Sequence, residues 1–178
     1  ALGLAVCFRS NVWNIGAEGQ FMLGAVAATG VALYFEGSES GLLLPAMIVA
    51  GAAGGAAWAA IPALLRTRFN ANEILVSLML VYVAQNLLAW AALGPLRNPE
   101  GMGFPGSRNL SQWPSSQNLE LIPGTGAHWG VVAALIAVAV AYVALARHAF
   151  GFAVRLTGLS PRAAAFAAVH AGAAAAVR

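Results

Sequence analysis

The chain has 178 residues, of which 60% are hydrophobic and only 8% are charged, and its mean hydropathy is +0.76. Soluble domains of this length carry far more charge, so the composition predicts a membrane protein that crosses the bilayer several times. All nine basic residues are Arg and all six acidic residues are Glu, which excludes a phosphate-binding loop with its Lys and a nucleotide-bound magnesium site with its Asp.

The composition also bears on metals, cofactors and nucleic acids. Cys7 is the only cysteine, and His128, His148 and His170 lack the spacing of an HExxH zinc site. The isoelectric point of about 9.8 arises from arginines that are dispersed along the chain without a basic stripe. We therefore expect no metal or cofactor on this chain and no nucleic-acid partner, and we interpret the arginines as markers of membrane topology.

The chain begins inside an apolar run. Residues 1–8, ALGLAVCF, have the composition of a spanning helix but not its length, and no signal-peptide n-region precedes them. We therefore expect these residues to be the last part of a spanning segment, and the sequence to be an internal fragment of a longer chain.

The next segment, NVWNIGAEGQ at 11–20, places polar side chains directly before an apolar run. Polar groups that enter hydrocarbon need partners, and a carboxylate there marks a pathway or a binding cavity by default. Gly16 and Gly19 permit non-helical backbone, so the segment predicts a broken helix near residues 14–20, with a helix starting at about Gln20. Discontinuous helices of this kind supply hydrogen bonds to solutes in transporters.

Two interpretations of this segment stay open. In one, Asn14, Glu18 and Gln20 hydrogen-bond a solute directly, and Trp13 stacks on a base or sugar face. In the other, Glu18 and Gln20 hydrogen-bond neighbouring helices and only fix the break.

Two apolar segments follow the motif. Residues 20–35 are equivalent to about 24 Å of helix, which is shorter than the ~30 Å hydrocarbon core, whereas residues 42–65 give about 36 Å and one full span. Gly51 and Gly55 in the second segment form a GxxxG pair, which predicts close packing against another helix. Arg66 and Arg68 close that span, and the positive-inside rule places them in the cytoplasm.

Alternation of direction then predicts the remaining topology. We expect a span at 72–94, a long external loop at 95–127, a returning span at 128–146 and a cytoplasmic segment at 147–166. Five prolines in the loop forbid a long helix there. Residues 163–177 could form a surface helix or the foot of another span.

The 72–94 span has two different faces at the helical period of 100° per residue. Glu73, Ser77 and Ala84 share one face, while Tyr82 and Asn86 lie on the opposite side. Asn72 and Glu73 at the start of the helix suit capping and the helix dipole. The deeper polar residues Tyr82, Gln85 and Asn86 are the candidates for contact with a solute.

Four ordered motifs resemble the permease subunits of bacterial ABC importers for nucleosides and simple sugars. They are NIGAEGQF at 14–21, FNANEILVSLMLVYVA at 69–84, GPLRNPEGMGFPGS at 94–107 and GFAVRLTGLSPRAAAFAAV at 151–169. The resemblance is to the branch that works with a basic-membrane-protein type of binding protein, related to the ribose and branched-chain amino-acid permeases. Ser160 stands where the last motif has Asn, and Ala168 with Val169 replaces Gly-Ile.

The resemblance implies a fold and partners. The fold class is an all-α polytopic transmembrane bundle, with about four to five membrane segments in this fragment, all within one permease domain. The NIGAEGQ form resembles the first of two permeases that pair, which implies a heterodimer. It further implies an extracytoplasmic solute-binding protein and a cytoplasmic ATP-binding subunit, which carries ATP and Mg, so that this chain is not an enzyme.

The resemblance also assigns the cytoplasmic segment 147–166 to docking on the ATP-binding subunit. Its glycines and Pro161 are expected to shape a turn, and Pro161 can open a short helix. For each Arg alone, ordinary positive-inside anchoring is an open alternative. The expected coupling residues are Gly151, Arg155, Gly158, Pro161, Arg162, Ala163 and Ala164.

Other functions remain as alternatives. A permease for branched-chain amino acids or another small polar solute is the closest one, and a channel or membrane scaffold without transport would also explain the apolar spans. An intramembrane enzyme is not favoured, because every His lies at or beyond a predicted span end and no Asp can pair with Glu18.

Overall fold

In the computed structural model, the chain is described at residues 2–37, 40–99, 101–102, 106–107, 110, 120–122, 124–160 and 164. The regular elements of this part are helices, apart from one small antiparallel hairpin and an isolated bridge between Arg97 and Ser107, so the predicted all-α polytopic fold is confirmed. Two compact units can be distinguished, one formed by residues 1–14 and 120–178 and the other by residues 15–119. The elements in chain order are α1 Leu2–Arg9, α2 Ala17–Tyr34, α3 Leu43–Phe69, α4 Glu73–Leu93, β1 Glu120–Ile122, β2 Ala127–His128, α5 Trp129–Arg147 and α6 Ala149–Leu159.

Three helices of the described part are long and apolar enough to span a membrane. They are α3 with 27 residues, α4 with 21 and α5 with 19. Helix α2 has 18 residues, about 27 Å of helix, and is less apolar because Glu18 and Gln20 lie in its first turn. Long apolar helices with exposed Leu, Ile, Val and Phe side chains are what a lipid-facing bundle requires.

The unit of residues 15–119 is held together by close contacts between α2 and α3. A methyl group on Gly24 would lie 2.8 Å from the Gly51 carbonyl oxygen, and one on Gly55 would lie 3.0 Å from the Gln20 carbonyl oxygen. Gly51 meets Gly24, whereas Gly55, which is later in α3, meets Gln20, which is earlier in the chain. The two helices therefore run antiparallel. Missing side chains let the two backbones approach, which is how helices associate without a hydrophobic driving force.

A three-residue connection reverses the chain between α3 and α4. Asn70 takes the left-handed conformation at φ 51°, and its N–H donates to the Arg66 carbonyl. The Asn72 side chain then accepts from the N–H groups of Ile74 and Leu75, as an N-cap does. Arg66 and Glu73 form an ion pair of 2.6 Å across the turn. The end of α3 is thus capped by the Asn70 backbone and the start of α4 by the Asn72 side chain, and the ion pair joins the two helices.

The other unit contains α1, the hairpin, α5 and α6. The hairpin pairs Glu120 with His128, and its turn uses two glycines at positive φ, Gly124 at 82° and Gly126 at 67°. It leads directly into α5. Helix α6 begins one residue after α5 ends and packs back against α5 and against α1.

Several boundaries differ from the expected ones. Helix α2 begins at Ala17 and not near Gln20, and α3 continues to Phe69, beyond the arginines that were expected to follow its end. The hairpin lies inside the region expected to be an external loop. The expected turn at Gly151 and Gly158 is wrong, because both glycines are inside α6.

Candidate functional site

The backbone between α1 and α2 is non-helical from Ser10 to Gly16, so a break is present but lies earlier than the predicted residues 14–20, of which 17–20 are helical. The residue with left-handed backbone there is Asn11, at φ 56°, and Asn tolerates this region better than most residues. Gly16 has φ −84° and ψ 9°, values that any residue can adopt. The expectation that Gly16 and Gly19 permit the break through their conformational freedom is therefore wrong.

Gly19 instead serves close packing inside α2. A methyl group on this residue would lie 3.2 Å from the Ala84 Cβ, 3.2 Å from the Trp58 Nε1 and 3.3 Å from the Val81 Cα. Gly19 is buried, so the first turn of α2 is seated at a junction with α3 and α4. The start of α2, with Glu18 and Gln20 on either side of Gly19, therefore lies at a close contact of three helices.

The same junction contains a polar atom that lacks a partner. The indole Nε1 of Trp58 is buried and has no hydrogen-bond partner among the described residues. A buried donor without an acceptor is destabilising, and in native structures it commonly has a water molecule or a ligand as its partner. Trp58 was not among the predicted site residues, because an isolated Trp in an apolar span carries no sequence signal of its own.

The predicted site residues of the motif are distributed over the two units. In the unit of residues 15–119, Glu18 is exposed and Gln20 is half-buried, and the Gln20 N–H donates to the Gly16 carbonyl at 3.2 Å. In the other unit, Trp13 stacks edge-on against Phe8 with the ring centroids 5.7 Å apart, and Asn14 is half-buried.

Helix α4 has one face turned toward its neighbours and one face turned away. Ser77, Val81, Ala84 and Ala91 are buried, and this is the face that meets Gly19. The three polar candidates lie on the exposed part of the helix, and the Asn86 Nδ2 donates to the Tyr82 carbonyl at 2.8 Å. The structure thus separates them from the Gly19 junction. The three are Tyr82, Gln85 and Asn86.

Helix α6, in the segment that was predicted to be cytoplasmic, is positioned by two glycines and one arginine. A methyl group on Gly151 would collide with the backbone of Leu145, and one on Gly158 would collide with the Arg9 carbonyl oxygen. The Arg155 Nη2 donates to the Leu145 carbonyl at 2.6 Å, so Arg155 ties α6 to the last turn of α5. Ala164 is half-buried, and Pro161, Arg162 and Ala163 lie outside the described residues.

The packing partner of the predicted GxxxG pair was also missed by the sequence reasoning. Gly51 and Gly55 lie against α2, where Gly24 provides the matching close approach. A signal was available, since Gly24 and Ala28 are separated by three residues, and a methyl group on Gly51 would lie 3.5 Å from the Ala28 Cβ. Small residues at this spacing are common in interfaces between membrane helices.

A broken segment, an 18-residue helix that starts with polar side chains, and three longer apolar helices define a multi-pass helical membrane protein of the transporter class. The chain belongs to the family described as branched-chain amino acid transport system / permease component, whose model matches residues 1–173. The resemblance to ABC importer permeases is thus confirmed.

Three characterised permeases are similar to this chain. The glucose ABC transporter permease of Haloferax volcanii is 38% identical over 172 residues, which cover 91% of this chain and 45% of that protein. The guanosine ABC transporter permease of Bacillus subtilis is 30% identical, with 93% and 47% covered. The nucleoside ABC transporter permease of Lactococcus lactis subsp. cremoris is 26% identical, with 96% and 48% covered. The chain spans about half the length of these relatives, and no solved structure matches it significantly.

Proposed function

We propose that this chain forms part of the translocation path for a nucleoside or simple sugar in an ATP-driven importer. The observation that carries the proposal is the Gly19 junction, where the polar start of α2 meets α3 and α4 beside the unpartnered Trp58 indole N–H. Transporters place their solute sites at such helix starts within the membrane. The similar permeases, named for glucose, guanosine and nucleosides, support the same solute class.

A neutral solute suits the chemistry of the candidate residues better than a zwitterion does. Sugars and nucleosides offer hydroxyls and ring nitrogens, for which amides and an indole N–H are suitable partners. The carboxylate of an amino acid would need a cation or a free helix start, but the first turn of α2 already carries the Glu18 carboxylate. The candidate contacts in the unit of residues 15–119 are Glu18, Gln20, Tyr82, Gln85 and Asn86, and those in the other unit are Trp13 and Asn14.

In this proposal, the exposed polar residues of α4 line the translocation path. Tyr82, Gln85 and Asn86 face away from the helices of their own unit, so they can line a path completed by other parts of the complete permease or by a second permease subunit. We propose that a homologous second permease subunit forms the opposite wall of this path, so that the two subunits make a heterodimer. An extracytoplasmic binding protein delivers the solute to it.

The energy for transport comes from a separate ATP-binding subunit, which carries ATP and Mg, so this chain itself is not catalytic. We assign docking on that subunit to residues 147–166. Arg155 is bonded to α5, so in this assignment it positions α6 for docking, and Gly151 and Gly158 let α6 lie close to its neighbours. The remaining docking residues are Pro161, Arg162, Ala163 and Ala164.

Reconstitution of the complete permease with its ATP-binding subunit and binding protein tests the proposal. We expect ATP-dependent uptake of labelled guanosine or glucose into proteoliposomes, with no uptake when ATP is replaced by a non-hydrolysable analogue. Uptake of leucine alone would favour the alternative solute class that the family description names. Absence of ATP-dependent uptake of all three solutes would reject the importer assignment.

A further inference from the structure

An open cleft of about 650 Å³ lies between the end of α1 and the end of α6, in the unit of residues 1–14 and 120–178. The two helices approach each other here because Gly158 has no side chain and meets the Arg9 carbonyl oxygen. Two arginines thereby line one cavity of a size that suits a small ligand. The Arg9–Arg155 cleft is lined by Phe8, Arg9, Asn11, Arg155, Gly158 and Leu159.

The guanidinium of Arg155 is held by a hydrogen bond and still has donors available for a ligand. Its Nη2 donates to the Leu145 carbonyl at 2.6 Å, and the other N–H groups of its planar fork remain available to an anion. Arg9 is exposed and contributes its backbone, rather than its side chain, to the contact with Gly158. The ion pair between Arg66 and Glu73 does not involve this cleft.

The unit has no carboxylate that could neutralise the cleft. Residues 1–14 and 121–178 contain neither Asp nor Glu. Glu120 is the one acidic residue of the unit, and it pairs with His128 in the hairpin before α5 begins. The Arg155 guanidinium of the cleft is bonded to Leu145, near the other end of that 19-residue helix and about 24 Å from its start along the helix axis. A counter-anion for the two arginines must therefore come from outside this unit.

The surroundings of the cleft favour a lipid as the source of that anion. Arg155 is the one charged residue of the 11-residue helix α6, and Phe150, Phe152 and Leu159 are exposed on it. A mostly apolar helix that directly follows a spanning helix is suited to the membrane interface. The positive-inside rule places the Arg147 end of α5 in the cytoplasm, on the side where anionic lipids attract basic residues.

We propose that the Arg9–Arg155 cleft binds the phosphate group of an anionic lipid of the cytoplasmic leaflet. The two guanidinium groups contact the phosphate oxygens, and the acyl chains lie along the exposed side chains of Phe8 and Leu159. The assignment concerns the cleft alone and does not depend on which solute the permease transports.

Native mass spectrometry of the complete permease, equilibrated with mixtures of phosphatidylglycerol and phosphatidylcholine, tests this site. We expect preferential retention of phosphatidylglycerol. Arg9→Gln should weaken that retention roughly fivefold, because it removes one electrostatic contact with the lipid. The double variant Arg9→Gln with Arg155→Gln removes two contacts and should weaken it roughly 25-fold. Arg68→Gln is the matched control, since it removes one exposed arginine at the end of α3, outside the cleft, and should leave retention unchanged.

Three outcomes would overturn the proposal. Equal losses in Arg68→Gln and Arg9→Gln would mean that only the general surface charge attracts the lipid. Full competition by millimolar inorganic phosphate would assign the cleft to a soluble anion. Normal lipid retention by the double variant, together with failure to co-purify the ATP-binding subunit, would assign the cleft to that protein. Arg9→Gln alone preserves the Arg155–Leu145 bond, so it tests the site even if the double variant does not fold.

Discussion

At the scale of single residues, the contact between α2 and α3 depends on positions where a methyl group has no room. Gly24→Ala would place a methyl group 2.8 Å from the Gly51 carbonyl oxygen, and backbone oxygen cannot move aside as a flexible side chain does. Overpacking of this kind costs about 1–3 kcal/mol. We expect a lower Tm of the purified permease, measured by thermal unfolding in detergent.

Gly30→Ala is the matched control for that substitution. Gly30 lies in the same helix, and nothing is within 4 Å of the position that its methyl group would occupy. We expect the Tm of Gly30→Ala to be unchanged or slightly raised, because Ala favours helix by up to about 1 kcal/mol over Gly. Equal Tm values for the two variants would contradict the close approach of α2 to α3.

The same residues show which helix contacts can be predicted from the sequence and which cannot. The GxxxG spacing of Gly51 and Gly55 predicts that a helix packs there, because missing side chains at that spacing leave a groove. Spacing along one helix cannot identify the partner helix, which is a long-range property of the fold. The role of Gly19 was misjudged for the same reason, since its contacts with Trp58 and Ala84 come from two other helices.

At the scale of elements, the long apolar segments were predictable and the short elements were not. Long runs without charge leave few options other than spanning helices, because a bilayer cannot satisfy exposed backbone groups. The hairpin of β1 and β2 depends on two glycines at positive φ, in a region where five prolines suggested only turns. Helix α6 was missed because glycine is a poor helix former, whereas tertiary contacts at Gly151 and Gly158 require it.

The packing of α6 on α5 leads to a prediction about coupling, which rests on the proposed docking role. Gly151→Ala would force the two helices apart, because the added methyl group collides with the Leu145 backbone. We expect transport per ATP hydrolysed to fall about tenfold, equivalent to about 1.4 kcal/mol of lost coupling, while the ATPase activity persists. Uptake and phosphate release are measured together in proteoliposomes.

Ala153→Ser is the control for the α6 prediction. Ala153 is an exposed residue of the same helix, so a similarly small addition there should leave the ratio of uptake to ATP hydrolysis unchanged. An unchanged ratio in Gly151→Ala, at a Tm equal to that of the wild type, would contradict the coupling role of the α5–α6 contact.

At the scale of the whole molecule, the arginines at helix ends predict an orientation in the membrane. Arg66 and Arg68 lie in the last turn of α3, and Arg147 lies in the last turn of α5. Arginine at the ends of spanning helices remains predominantly in the cytoplasm, so both helices should run inward and α4 should run outward. The connection between α2 and α3 should then be external, together with the hairpin that precedes α5.

Cysteine labelling of the complete permease in intact cells tests this orientation. Cys7 is the one cysteine in these 178 residues, so a cysteine-free background needs one substitution in this part of the protein. A membrane-impermeant maleimide should label Ser40→Cys directly, but should label Thr67→Cys only after permeabilisation, because the second site lies beside Arg66 and Arg68. Both residues are exposed, the Thr67 hydroxyl bonds within its own helix, and the Ser40 hydroxyl accepts a long hydrogen bond of 3.3 Å from the Leu42 N–H. Both sites should therefore tolerate the small cysteine side chain. Labelling of Thr67→Cys in intact cells would reverse the orientation, and would place the proposed docking segment and the Arg9–Arg155 cleft on the wrong side of the membrane for their partners.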